Sequence, residues 1–275
     1  MGDGTFDLHA FYDRVDGLYR DGRGDDVHRY LADALVAARR GGDDLAIAAV
    51  ASELGGVERV RGNLAMAEGL YDEALRAHGR NRASQPGSLV NLLVNKGDVL
   101  VAQGRYAGAV ELFDRAESLA GEGADTAYQR SAICNNRAAA LRELGDFARA
   151  RRDLRRAIAL LDEVGCKEDK RAVTQVSLAQ ILVKEGRLPE ARRVVDAALD
   201  AFEPLSGGRA IHRPNAYACA ASGAYLMGDY ARAADHMARA AALLRDKVGA
   251  SPMVERLEGE GRRMRRLADG EGGRR

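Results

Sequence analysis

A beat of about forty-one residues runs through the chain and limits the fold more than any other feature. Gly22, Gly62, Gly104, Gly145, Gly186 and Gly228 are separated by 40, 42, 41, 41 and 42 residues. Twelve residues after each glycine stands an alanine: Ala34, Ala74, Ala116, Ala157, Ala198 and Ala240. Nine after each is a large apolar residue: Leu31, Tyr71, Phe113, Leu154, Val195 and Met237. Five after are Val27, Ala67, Ala109, Ala150, Ala191 and Ala233; seven before are Val15, Gly55, Gly97, Ala138, Ala179 and Ala221. Offsets of five, nine and twelve differ by four and three, so these residues share one helix face. That face alternates small, large, small, which lets two helix backbones approach closely. A second apolar stripe precedes each glycine, as with Ile133, Ala140 and Leu141, or Leu178, Ile181 and Leu182. Each unit is thus expected to be a helical hairpin that turns at its glycine.

The prolines fit this reading. Pro86, Pro189, Pro214 and Pro252 fall near expected helix starts, where a missing N–H costs little, and Pro204 falls at a helix end. Short polar or Gly-rich links are expected at 39–44, 81–88, 121–125, 165–170 and 207–213. One hairpin cannot bury both of its stripes, but a stack can. Residues 1–247 therefore read as one all-α solenoid of six hairpins. Residues 248–275 read as a capping helix, from Ser251 to about Ala268, and a frayed basic tail.

The run Leu54-Gly55, Gly62, Ala67, Tyr71, Ala74 resembles a tetratricopeptide repeat, as do Gly97, Gly104, Ala109, Phe113, Ala116 and Gly145, Ala150, Ala157. The period is longer than that family's thirty-four, tryptophan is absent, and the usual proline after the second helix is missing. Long units of this kind are similar to those of kinesin light chain and of stand-alone bacterial repeat proteins. The stretch Cys134-Asn135-Asn136-Arg137-Ala138 carries part of that likeness. The resemblance implies a right-handed superhelix whose first helices line a concave groove for a peptide or a partner helix.

Polar residues on the first helices are the candidates for binding. Asparagine is a poor helix-interior residue, because its side chain competes for the backbone. Five of the seven asparagines nevertheless fall there: Asn91, Asn95, Asn135, Asn136 and Asn215. Asn95, Asn136 and Ser177 stand nine residues before their glycines and are equivalent positions. Asn91, Asn95 and Asp98 share a face. Tyr128, Asn135 and Arg142 are spaced by seven, as are Lys170, Ser177 and Lys184. Amides at these places could bond a peptide backbone, and the cations could hold a carboxylate. Equally, an asparagine here can tie neighbouring helices together, and a spaced arginine can be a solvated face.

Forty-two basic against forty-one acidic residues give a net charge of +1, which removes the main composition argument for nucleic acid or an anionic membrane. No apolar run is long enough to cross a membrane, and residues 1–8 lack the apolar core of a secretory signal. Cys134, Cys166 and Cys219 are an odd set without CxxC spacing and suit a reducing cytoplasm. The histidines, His9, His28, His78, His212 and His236, form no metal-binding spacing, and no phosphate-binding glycine loop is present. No cofactor, metal or catalytic constellation is expected. Arg151, Arg152, Arg155 and Arg156 cluster on one second helix, where solvent is the default neighbour. Tyr19, Tyr30, Tyr71 and Tyr106 are expected in the core, and Asp25, Asp26, Asp43 and Asp44 at helix starts. The expected role is a cytoplasmic, bacterial adaptor or scaffold for a protein or peptide. A peptide-responsive regulator or a self-associating scaffold are alternatives, with the choice between monomer and homo-oligomer open.

Overall fold

The computed structural model describes residues 6–21, 24–81, 86–165, 168–204 and 212–270. Among them are thirteen helices and no strand: α1 (Leu8–Arg20), α2 (Gly24–Gly41), α3 (Asp44–Val60), α4 (Leu64–Arg80), α5 (Pro86–Ala102), α6 (Tyr106–Leu119), α7 (Ala124–Glu143), α8 (Phe147–Glu163), α9 (Glu168–Lys184), α10 (Leu188–Phe202), α11 (Arg213–Leu226), α12 (Tyr230–Val248) and α13 (Pro252–Ala268). The chain is all-α, as its periodicity implies. The links between hairpins are shorter than expected, since Arg39, Arg40, Ser88 and Lys170 are already helical.

Of the six repeat glycines, Gly22 lies outside the described residues, as does Cys166. The other five take φ between +72° and +84°, a region that costs an L side chain roughly 1–2 kcal/mol. Each sits in the same bonded turn. The Gly62 N–H donates to the Arg59 carbonyl at 3.1 Å, and the Asn63 N–H to that of Glu58 at 2.9 Å. The second bond recurs from Arg105 to Leu100, Asp146 to Leu141, Arg187 to Leu182 and Asp229 to Ala224. These bonds satisfy carbonyls that the helix end would leave bare. The residue after the glycine also starts the next helix. The carbonyls of Asn63, Arg105, Asp146, Arg187 and Asp229 accept from Ala67, Ala109, Ala150, Ala191 and Ala233, the alanines five after each glycine. Asp146 and Asp229 add side-chain caps to the N–H groups of Arg149 and Arg232.

Two compact units are present, Met1–Gly121 and Glu122–Arg275. In the first, α3 packs on α4 and α5 on α6, with α2 against α3 and α4 against α5. In the second, the pairs are α7 with α8, α9 with α10, and α11 with α12, and α13 closes on α12 through Val254, Leu257 and Gly261. First helices of successive hairpins also meet: α3 with α5, α7 with α9, and α9 with α11.

Inside a hairpin, the small residue before the turn faces the large one after it. A Cβ on Gly55 would lie 3.0 Å from the Tyr71 ring, and one on Gly97 would lie 2.6 Å from the Phe113 ring. Both rings are buried. Where the large residue is the aliphatic Leu154, Val195 or Met237, the small one is Ala138, Ala179 or Ala221, and these too are buried. Volume is thus conserved across each pair, which close packing requires. Tyr71 is a core residue, whereas Tyr19 is 52% exposed; its place near the end of α1 turns it outward, against the expectation from helical spacing.

Arginine–carboxylate pairs join adjacent hairpins, from their second helices or from the turns beside them. Arg39 meets Glu73, Arg105 meets Glu68, Arg151 meets Glu185, Arg155 meets Glu190, and Arg232 meets Asp196. Arg151 and Arg155 are therefore committed to the neighbouring hairpin rather than simply solvated. Such part-exposed pairs contribute little singly.

Glu58 on α3 is a buried acid. His28 Nε2 lies 2.6 Å from its Oε1, and Asn63 Nδ2 donates to its Oε2 at 2.5 Å. Burial pushes its carboxyl up, but the bonds from Asn63 and His28 outweigh this and hold it below the usual range. A depressed acid stabilises the fold above the ordinary glutamate value, and this contribution is lost as pH falls through the folded-state value. Below about 4.3 the unfolded chain takes up the proton first. Urea midpoints should therefore fall on the acid side of that value. Glu58→Gln should flatten this acid limb; an unchanged limb would assign the acid sensitivity to other carboxylates.

Candidate partner-binding surface

Most of the polar residues singled out on the first helices gather around three cavities, one in the first unit and two in the second. In the first unit, a cavity of about 340 Å³ is lined by Leu8 and Tyr12 of α1, Leu45, Ser52 and Glu53 of α3, and Asn91 and Asn95 of α5, among others. Asn91 is exposed and Asn95 part-buried. Asn95 makes no hydrogen bond to another described residue. Asp98, on the same helix, does not line the cavity.

In the second unit, Tyr128, Asn135 and Asn136 of α7 and Asp169, Lys170 and Thr174 of α9 line a cavity of about 230 Å³. Asn135 Nδ2 donates to Thr174 Oγ1 at 3.2 Å, so this amide ties two first helices together. Tyr128 is half exposed, and buried Asp169 Oδ1 has no hydrogen-bond partner. Ser177 shares its register with Asn95 and Asn136 but lines none of the three cavities. Its hydroxyl donates back to the Val173 carbonyl at 3.3 Å, as short hydroxyls in helices commonly do.

The largest of the three, about 790 Å³, brings together Arg142 of α7, Gln180 and Lys184 of α9, Asn215 and Tyr225 of α11, and Met264 of α13. Val183, Ala218, Leu226 and Met237 give it an apolar floor. Arg142 is occupied: Nε donates to Glu143 at 2.9 Å and Nη1 to Gln180 Oε1 at 2.9 Å. Lys184 and Asn215 are exposed and pair with no other described residue. Buried Cys219 also borders this space, and burial pushes its thiol up to about 12, which leaves it protonated and unreactive at neutral pH. Among the described residues, no three histidines, cysteines or acids come together to hold a metal ion. No described helix is long and apolar enough to cross a membrane.

Spacing alone did not mark Glu53 or the contribution of α13. Glu53 stands nine residues before Gly62, the register of Asn95 and Asn136, and could have been found by extending that alignment backwards.

Residues 88–163, which span α6, α7, α8 and most of α5, match the tetratricopeptide repeat family. That stretch carries tetratricopeptide repeats, and the helical hairpins on either side of it repeat the same turn. That repeat type commonly serves as a protein-interaction scaffold. No curated protein matches the chain. Among solved structures, BtubC (BKLC) from P. vanneervenii aligns with a TM-score of 0.70 at 20% identity, over 82% of this chain and 92% of that one. PilF of Pseudomonas aeruginosa aligns with a TM-score of 0.60 at 18% identity, over 92% and 96%. PilW, a type IV pilus biogenesis factor, aligns with a TM-score of 0.63 at 16% identity, over 89% and 95%. At these identities the likeness is one of fold.

Proposed function

We propose that this tetratricopeptide repeat protein is a non-catalytic adaptor that holds a peptide or helical segment of a partner against its first helices. One observation carries this reading. Cavities of about 340 and 790 Å³ open on those helices, and the unpaired polar groups Asn95, Lys184 and Asn215 line them beside apolar side chains. Arg142, on the wall with Lys184 and Asn215, is bonded to Gln180 and Glu143, whereas Asn95, Lys184 and Asn215 meet no partner among the described residues. An amide can bond a peptide backbone at two points, and the Lys184 ammonium can meet a carboxylate. The apolar floor of Leu226, Met237 and Met264 would supply burial, with methionine adapting to the shape it meets. Rigid, preformed helices keep the ordering cost of binding low.

The test is partner capture by the Asn95→Ala, Lys184→Ala, Asn215→Ala triple variant, with Arg152→Ala on the exposed face of α8 as control. The triple variant is expected to lose partners that the control retains. Equal capture by both would place binding on another surface.

A further inference from the structure

Glu53 stands apart from the other part-buried acids of its unit. Asp44, Glu68, Asp72 and Glu73 each face an arginine or lysine at 2.5–2.7 Å. Glu53 is part-buried at the wall of the 340 Å³ cavity, yet no cation or hydrogen-bond donor among the described residues reaches it. Burial and the nearby charge of Asp16 push its carboxyl up. The Tyr12 phenol, on the same wall, is pushed up by burial and then by the charge of Glu53. Among the described residues no lysine or arginine lines the cavity, and the imidazole there, His78, is engaged at 2.9 Å with Ser88 Oγ. A partly desolvated carboxylate without a counter-ion is costly, and a cation from outside would remove that cost.

We propose that this cavity takes a cationic side chain, an arginine or lysine of a partner peptide, with Glu53 as counter-ion, Tyr12 as aromatic wall and Asn95 bonding the peptide backbone. The proposal rests on the adaptor reading above and names the partner chemistry of its amino-terminal unit. A guanidinium or ammonium meets both an ion-pair partner and a π face here, two attractions that add for an organic cation. Tyr12 is 41% exposed, so its ring is available to a ligand. A metal ion is a poorer fit, since no group of three ligating side chains exists among the described residues.

The experiment is fluorescence anisotropy of a labelled oligo-arginine peptide titrated with the full chain, against an oligo-glutamate peptide of equal length. Oligo-arginine is expected to bind saturably and more weakly as salt rises. Glu53→Gln should weaken it about tenfold and Tyr12→Leu about threefold. Asp25→Asn, whose carboxylate faces Arg61, should leave it unchanged. Glu53→Gln should also melt no lower than the parent, because it removes an unpaired charge and keeps the shape. Equal weakening by Glu53→Gln and Asp25→Asn would mark general charge attraction and overturn the assignment. So would equal binding of oligo-glutamate, or a melt lowered by Glu53→Gln. Partner capture that depends on Lys184 and Asn215, in a chain that ignores oligo-arginine, would sink this assignment and leave the adaptor reading standing.

Discussion

Replacing Asp153 by alanine is expected to destabilise the Glu122–Arg275 unit by about 3–5 kcal/mol. Arg137 on α7 and Asp153 on α8 form a two-pronged pair: Nε donates to Oδ2 at 2.7 Å and Nη2 to Oδ1 at 3.0 Å. Both side chains are over nine-tenths buried, among residues such as Ile133, Leu141 and Leu154. Their mutual attraction roughly offsets the cost of taking two charges out of water. Truncating one partner keeps that cost for the other and loses the attraction. Removing both with apolar side chains of similar size, Arg137→Met with Asp153→Leu, should recover most of the loss. Urea unfolding of the three variants decides it. A single Asp153→Ala loss below about 1 kcal/mol would mean that water reaches the guanidinium and the pair is not buried in effect.

Gly97→Ala is expected to destabilise the Met1–Gly121 unit, although alanine is the better helix former by about 1 kcal/mol. The added methyl would sit 2.6 Å from a ring carbon of Phe113, which is wholly buried and has little room to retreat. Overpacking of this kind costs roughly 1–3 kcal/mol, so the steric term wins by up to about 2 kcal/mol. The neighbouring hairpins suggest the remedy, since alanine there is paired with leucine, valine or methionine. Phe113→Leu should lower stability in the parent and raise it in Gly97→Ala. A double-mutant cycle by thermal melting measures this, and strict additivity would show that the two residues do not share one space.

Much of the fold was legible in the chain because two kinds of position tolerate few residue types. A turn at positive φ calls for glycine, and helices in close approach call for small side chains. Both recur at a fixed interval, so five turns and their facing pairs could be located by counting. The lining of the cavities was legible where a residue is out of place in its local setting. Asparagine within a helix is such a case, and Asn91, Asn95, Asn135, Asn136 and Asn215 all line one of the cavities. Glu53 gave no such sign, because glutamate is at home in a helix. Its isolation comes from what its neighbours lack, which only three dimensions reveal. Ser177 shows the opposite case: its register is that of Asn95, but its short hydroxyl bonds its own helix and it lines none of the three cavities. Arg137 lies four residues from both Ile133 and Leu141, a charge inside an apolar stripe that calls for a partner. That partner is across the hairpin, so local spacing could not identify it.

The turn residue that closes one helix while opening the next has a consequence for how a protein of this kind can change. One residue serves both helices through its N–H and its carbonyl, so an extra residue at these five points would orphan one side or the other. Insertion scanning should meet periodic blanks there and tolerance in the links that join one hairpin to the next. Drift in length is thereby channelled into the connectors, and duplication of an intact hairpin becomes the natural way for the array to grow.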